Sequence, residues 1–202
     1  MTKRKIGNVW IIGIAIIGLL SSCMKDGDVF NDYEQYERDV LVIENYVKVN
    51  LPKAVKDSTG IWFELIKEGE GENFQYKTET VTDPRTGQKV VRALAPIITV
   101  RYTTKLLDGT VAQSEQKPEG ITVPFIEQPA SWQLAFLPYE IPGVTTQIKG
   151  LTPNGLKPGS IIRFVTPSFY AYGNVTIGKI PANSPLDYTI EVLKMENKTD
   201  NK

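Results

Sequence analysis

Residues 160–195 read SIIRFVTPSFYAYGNVTIGKIPANSPLDYTIEVLKM, and this stretch decides the fold. Apolar and polar side chains alternate at 160–166 and again at 186–195, with the period of two that half-buried β-strands show. The segment between them is rich in tyrosine, glycine and proline. The stretch therefore predicts two strands of one sheet, joined by a long loop.

Segments nearer the N-terminus predict the rest of the sheet. β-branched, aromatic or alternating residues predict strands at 61–66, 97–107 and 121–126, and the arms of a hairpin at 74–81 and 90–94. The hairpin arms flank DPRTG at 83–87, a composition typical of turns. All of these strands are expected to pair antiparallel.

Two short helical segments are predicted between the strands. Trp132 and Phe136 lie four residues apart within 130–137, on one face of a helical turn. Pro142 opens a second segment, a short helix through Leu151, with the proline in its first turn. An antiparallel sheet with one short crossing helix makes the fold class α+β.

An amphipathic helix is predicted near the N-terminus. Its apolar stripe recurs at spacings of three and four residues and comprises Tyr33, Tyr36, Val40, Ile43 and Val47. Asp32 is a suitable N-cap, and Pro52 ends the segment. The stripe could pack on its own domain or pair with a second copy. Its short length favours packing on its own domain.

Residues 1–23 predict a secretory leader that ends in a lipid attachment site. A basic start at residues 3–5 precedes an apolar run at 9–20 that is too short for a lasting membrane span. Leu-Ser-Ser-Cys at 20–23 resembles a bacterial lipobox, in which the cysteine becomes the acylated N-terminus. Several acyl chains on Cys23 would anchor the protein stably to a membrane. An uncleaved anchor helix is the alternative.

The chain is thus predicted to divide into five segments: a signal peptide at 1–22, a tether at 23–31, a helix and linker at 32–57, a domain at 58–196 and a polar tail at 197–202. The expected location is the outer membrane, with the lipoprotein on its periplasmic or surface face. The polar, acidic tether is typical of lipoproteins from Bacteroidetes.

Composition excludes several chemistries. The chain has no histidine, which excludes catalytic triads and zinc sites built on histidine. Its single cysteine is assigned to lipid, which excludes disulfides and thiol catalysis. No phosphate-binding glycine motif occurs. The leader would remove three of the 23 basic residues and none of the 23 acidic ones, which leaves a net charge of −3. That balance argues against nucleic acid as a partner.

The order of the motifs resembles that of the FKBP-type peptidyl-prolyl cis–trans isomerases. The matching residues are VRYT at 100–103, LDGT at 107–110, IPGV at 141–144, IKGL at 148–151, LKPGS at 156–160, PSFYAYG at 167–173, IPANSPL at 180–186 and YTIEV at 188–192. The resemblance covers residues 58–196. It implies a twisted antiparallel sheet wrapped around one short helix, with the active site between helix and sheet.

The resemblance also implies a reaction and a site. The family isomerises X–Pro bonds of polypeptide clients without cofactor, metal or nucleophile. The Ile141 backbone N–H and the Tyr172 hydroxyl would bind substrate carbonyl groups. The rest of the pocket would be formed by Tyr102, Ile121, Val144, Ile180 and Tyr188. The aliphatic members of this set could equally be ordinary core residues.

This chain departs from the family pattern at two places. After Asp108-Gly109 the family places Phe-Asp, whereas this chain has Ala112-Gln113, and Val144 stands where the family has tryptophan or leucine. The expected pocket is wider and less aromatic. Residues 128–137 form an insertion before Ile141, and one hypothesis is that Trp132 or Phe136 replaces the lost ring. A hydrophobic cluster elsewhere is the alternative.

Three functions remain open on the sequence alone. The first is a membrane-tethered isomerase that acts on X–Pro bonds of extracytoplasmic proteins. The second is a binding or chaperone module that holds proline-containing or unfolded segments with little catalysis, which Ala112-Gln113 favours. The third is a structural lipoprotein whose N-terminal stripe and hairpin serve assembly with a partner.

Overall fold

A computed structural model describes residues 32–144 and 147–198. The predicted leader, Cys23, the tether and the end of the tail lie outside these residues. Two α-helices are described, α1 at Asp32–Asn50 and α2 at Ala130–Phe136. The nine strands are β1 at Val55–Lys56, β2 at Trp62–Lys67, β3 at Thr78–Thr82, β4 at Lys89–Ala93, β5 at Ile97–Leu106, β6 at Val111–Glu115, β7 at Ile121–Pro124, β8 at Ile161–Thr166 and β9 at Leu186–Glu196.

The main sheet is antiparallel throughout. Its strands run in the order β1-β2-β8-β9-β5-β6, and β7 pairs with β5 on the same edge as β6. The long strand β5 pairs with β9 over its whole length. The hairpin of β3 and β4 forms a separate two-stranded sheet. The fold is therefore α+β, as the sequence predicts, and the strands predicted from alternation are confirmed.

The core lies between α2 and one face of the sheet. The alternate residues Leu186, Tyr188, Ile190 and Val192 of β9 all belong to it, because successive side chains of a strand point to opposite faces. From α2 the core receives Trp132, Leu134, Ala135 and Phe136. The helix thus crosses the sheet and closes its inner face.

Helix α1 packs on the other face of the sheet. Ile43, Val47 and Leu51 form a second buried cluster with Val165 of β8. The predicted stripe of α1 therefore packs on its own domain, although Tyr33 at its N-terminal end is 67% exposed. The two helices lie on opposite faces of one sheet.

The crossing helix lies earlier in the chain than the sequence predicts. Residues 142–144 and 147–151 form turns and irregular backbone, so the prediction of a helix from Pro142 to Leu151 is wrong for the described residues. Gly143 has φ of +81°, a left-handed conformation that a right-handed helix does not accept. The predicted helical turn at 130–137 is confirmed, and as α2 it is the crossing helix.

Two of the described strands are not predicted by the sequence. Strand β6 lacks a run of large apolar residues, and β1 is only two residues long. Among the described residues, no helix combines the length and the apolar character that a bilayer crossing requires.

Candidate active site

A small cavity lies between α2, the strands β5, β6 and β7, and the loop after β8. Its volume is about 140 Å³, and it is lined by Tyr102, Gln113, Ile121, Val123, Gln128, Trp132 and Tyr172. Three of these residues, Tyr102, Ile121 and Tyr172, are site residues predicted from the sequence. None of the seven carries a formal charge, so the cavity offers aromatic faces, aliphatic groups and neutral polar groups.

Trp132 supplies the aromatic wall of the cavity from α2. The Trp132 ring meets the ring of Tyr102 edge to face, with the centroids 5.1 Å apart, and that of Tyr188 at 5.9 Å. The hypothesis that an aromatic residue from 128–137 lines this pocket is therefore supported for Trp132. Phe136 is wholly buried and packs on Phe125 instead, with the centroids 6.1 Å apart, so it does not line the cavity.

A β-bulge turns Ala112 and Gln113 toward the inner face. Thr104 of β5 pairs with Gln113, and Lys105 pairs with Val111, which leaves Ala112 as the extra residue. Ala112 consequently packs against the core, while Gln113 lines the cavity. The bulge explains how two consecutive residues of one strand both face inward.

Tyr172 brings a hydroxyl into the cavity from the loop after β8. The hydroxyl donates a long hydrogen bond of 3.5 Å to Oε1 of Gln113. A bond of this length is weak, since O–H donors normally lie 2.5–3.0 Å from their acceptors. The hydroxyl can therefore exchange this partner for a substrate carbonyl at little cost.

The phenols of Tyr102 and Tyr188 resist ionisation. Burial raises the pKa of Tyr102, and the neighbouring Tyr172 adds to the effect. Burial is also the main reason that the pKa of Tyr188 is raised well above its ordinary value, with Tyr172 as the next cause. These phenols remain protonated at neutral pH and keep their donor O–H groups.

Two predicted site residues are buried in the core and do not line the cavity. Tyr188 is fully buried, and its ring stacks on Phe164 at 5.1 Å and meets Trp132 edge to face. Ile180 is 1% exposed and belongs to the same core cluster. Neither residue is among those that line the cavity.

The structure corrects the placement of Ile141 and Val144. Both residues line a different space, of about 410 Å³, along the segment 139–147. The Ile141 N–H donates to Oε1 of Gln147 at 2.7 Å, so it is already used within its own loop. Neither residue lines the cavity that holds Tyr102 and Tyr172. The IPGV sequence that placed them there lies in the segment between α2 and β8, called here the α2–β8 connection.

Larger spaces lie elsewhere on the described residues. One of about 340 Å³ lies between residues 73–78 and the α2–β8 connection. Another, of about 310 Å³, lies between the start of α1 and residues 169–170 and is lined mainly by aromatic side chains. The smaller cavity brings together three predicted site residues, Tyr102, Ile121 and Tyr172, beside Trp132. We therefore take the Tyr102–Tyr172 cavity as the candidate active site.

Comparison with known proteins agrees with this fold. A family model described as FKBP-type peptidyl-prolyl cis-trans isomerase matches residues 93–193, which include β5–β8, α2 and most of β9. The chain belongs to this family.

The individual relatives share fewer than a third of their aligned residues with this chain. The chain is 29% identical over 143 residues to the FKBP-type peptidyl-prolyl cis-trans isomerase FkpA of Buchnera aphidicola subsp. Schizaphis graminum. That match covers 70% of this chain and 43% of the relative, so the chain spans less than half of that protein's length.

Two solved structures share the fold. FkpA from Escherichia coli superposes with a TM-score of 0.54 at 19% identity, covering 82% of this chain and 63% of that one. A peptidyl-prolyl cis-trans isomerase from Pseudomonas syringae pv. tomato superposes with a TM-score of 0.53 at 16% identity, covering 85% of this chain and all of that one.

Proposed function

We propose that this chain catalyses cis–trans isomerisation of X–Pro bonds in extracytoplasmic polypeptides. The observation that carries the proposal is the meeting of Trp132, Tyr102 and the Tyr172 hydroxyl around one small cavity. Membership in the isomerase family supports it. The lipobox-like sequence that ends at Cys23 supports action outside the cytoplasm, from a membrane anchor.

The reaction needs shape and polarity rather than a reactive group. The barrier to rotation of a peptide bond is about 18–20 kcal/mol, because rotation breaks amide resonance. As the bond twists, the amide becomes less polar than the planar, hydrated ground state. A cavity with aromatic walls and no charged lining residue favours this twisted state over the planar one. No proton, electron or metal has to be supplied.

Each residue then has a definite task. Trp132 and Tyr102 hold the proline ring, while Ile121 borders the cavity from β7. The Tyr172 hydroxyl leaves Gln113 and donates to a substrate carbonyl. The residue before α2 is Pro129, which has no N–H to donate to the substrate. The Ile141 N–H does not face the cavity either, so the Tyr172 hydroxyl takes a larger share of the hydrogen bonds to the substrate than the resemblance implies.

A second candidate is a binding module for proline-containing or unfolded segments. Gln113 favours it, because a neutral amide holds the Tyr172 hydroxyl more weakly than a carboxylate would. A loosely held hydroxyl still allows binding but gives less selective stabilisation of the twisted bond. In that case the cavity would bind proline without accelerating its isomerisation.

One experiment separates the two functions. The full chain, purified in detergent, is assayed for isomerisation of peptides with varied residues before proline, and for affinity to the same peptides. Trp132→Ala and Tyr172→Phe are compared with Trp62→Ala and Tyr139→Phe. The second pair serves as controls, because Trp62 packs on the α1 cluster and Tyr139 lies in the α2–β8 connection.

An isomerase predicts acceleration that Trp132→Ala and Tyr172→Phe reduce and the two control variants leave near wild type. A binding module predicts measurable affinity, lowered by Trp132→Ala, without acceleration by the wild-type chain. Acceleration that survives both cavity variants would place the active site elsewhere.

A further inference from the structure

A buried carboxylate on α1 lies beneath the loop that carries Tyr172. Asp39 is 2% exposed, and its Oδ2 accepts hydrogen bonds from the backbone N–H of Ser168 at 2.7 Å and from the Ser168 hydroxyl at 2.5 Å. Its other oxygen accepts from Nε2 of Gln35 at 2.6 Å. Both oxygens are therefore occupied by donors, and the burial of the charge is compensated.

Ser168 passes this restraint to Tyr172. Its carbonyl oxygen accepts from the N–H of Ala171 at 2.9 Å and from the N–H of Gly173 at 2.8 Å. These two residues flank Tyr172 on either side. A shift of Ser168 would therefore move both ends of the short segment that aims the Tyr172 hydroxyl into the cavity.

A second contact from α1 reaches the same loop. Gln35 Nε2 also lies 3.4 Å from the carbonyl oxygen of Asn183, and the Asn183 N–H donates to the carbonyl of Gly173 at 2.7 Å. Asn183 has φ of +60°, a conformation that costs energy in a residue other than glycine. The first turns of α1 thus contact the β8–β9 connection near its start, at Ser168, and near its end, at Asn183.

The attachment of α1 to the sheet does not depend on these contacts. Two turns further along the helix, the Tyr46 hydroxyl donates to Asp187 at 2.8 Å, and Ile43, Val47 and Leu51 pack on Val165. Loss of Asp39 would therefore leave α1 attached. This separates the orientation of the loop from the docking of the helix.

We infer that Asp39 is a positioning residue, through which helix α1 sets the loop that carries Tyr172. Helix α1 lies outside residues 93–193, the part that matches the family model, so an element beyond the matched segment would order the site. The inference rests on the proposed function, because its effect on turnover requires that Tyr172 contact the substrate.

The test compares Asp39→Asn with Tyr46→Phe in the full chain in detergent. Asparagine has the shape of aspartate but is neutral and has one acceptor oxygen, so the charge-assisted bonds from Ser168 are lost, and Gln35 must turn its amide to keep its contact. Tyr46→Phe removes one hydrogen bond of the same helix at a distance from the loop. Turnover, peptide affinity, the urea midpoint and amide hydrogen exchange are measured on each variant.

Asp39→Asn is expected to lower kcat about tenfold with KM nearly unchanged, because the aromatic cavity still binds proline while the hydroxyl is misplaced. Amide exchange of Ala171 and Gly173 should accelerate about tenfold, while that of Ile190 in β9 stays slow. Tyr46→Phe should lower the urea midpoint without changing kcat or these two exchange rates.

Equal kcat in the two variants, or unchanged exchange at Ala171 and Gly173, would overturn the inference. If Asp39→Asn does not fold, Ser168→Ala replaces it; this variant loses the hydroxyl bond, keeps the backbone bond and should show smaller changes in the same directions. An inactive wild-type chain would refute the proposed function alone. The exchange rates would then still decide whether Asp39 orders the loop.

Discussion

The indole of Trp132 meets the phenol of Tyr102 edge to face, with the ring centroids 5.1 Å apart, at the point where α2 crosses β5. Trp132 is 3% exposed, and its other neighbour is the buried ring of Tyr188. Edge-to-face pairs of this kind contribute about 0.5–1.5 kcal/mol beyond the area they bury. The contact joins the crossing helix, the central strand and the cavity.

Trp132→Ala should therefore lower both stability and turnover. Removing a buried tryptophan costs about 3–5 kcal/mol and opens the wall that would hold the proline ring. Trp132→Phe is the matched control, since it keeps a ring at the same position and should retain most of the turnover. Urea unfolding and an isomerisation assay measure the two effects. Turnover equal to wild type in folded Trp132→Ala would contradict this role.

Gln113→Asp should strengthen the hold on Tyr172. A carboxylate accepts a shorter, charge-assisted bond from the hydroxyl than the 3.5 Å bond to the amide, so the hydroxyl leaves it less readily and kcat should fall several-fold at pH 7. The loss should diminish as the pH falls through the carboxyl pKa, ordinarily about 3.9. The wild-type profile should stay flat over the same range, because no lining residue carries a carboxyl group. Higher kcat in the variant at pH 7 would contradict the exchange of partners by Tyr172.

Gln147→Ala should destabilise the α2–β8 connection without changing the active site. The Gln147 amide accepts from the N–H of Ile141 and donates to the carbonyl groups of Pro138 and Tyr139, so its loss frees three backbone groups. Stability should fall by about 1–2 kcal/mol, with kcat and KM unchanged. Urea unfolding and the isomerisation assay measure these quantities. A change in KM would contradict this prediction and indicate that Ile141 belongs to the substrate site.

Two arginine–carboxylate pairs on β9 should differ in value because they differ in burial. Asp187 is 2% exposed and accepts from Nε and Nη2 of Arg163 as well as from Tyr46. Asp187→Asn should cost about 2–3 kcal/mol. The matched Glu191→Gln should cost under about 1 kcal/mol, since Glu191 and Arg101 both keep 32% of their side-chain surface exposed. Equal losses in urea unfolding would contradict this reasoning.

Alkaline pH should destabilise the protein in a way that Tyr46→Phe reduces. Burial, followed by the hydrogen bond to Asp187, raises the pKa of Tyr46 to about 12. The unfolded chain, with a tyrosine pKa near 10, then releases this proton first. The contribution is complete below about pH 10 and is lost as the pH rises toward 12. The decline of unfolding free energy above pH 10 should be less steep in Tyr46→Phe, and an unchanged slope would exclude Tyr46 as a cause.

The sequence by itself determined the long strands, the α1 helix and the family. Alternation with a period of two depends only on neighbours along a strand, so β2, β5, β8 and β9 are predictable from residue order. The stripe of α1 is predictable for the same reason, with a period near 3.6. Tyr102 and Tyr172 lie in the motifs that carry the family resemblance.

The tertiary structure alone decided which helix crosses the sheet and which residues complete the cavity. IPGV at 141–144 has the local pattern of the expected segment, but Gly143 adopts a left-handed conformation and Gln147 takes the N–H of Ile141. Trp132 reaches Tyr102 because α2 is long enough to bury its apolar face against the sheet. Local patterns record what a segment can form, whereas contacts between residues distant in sequence select which segment occupies the core.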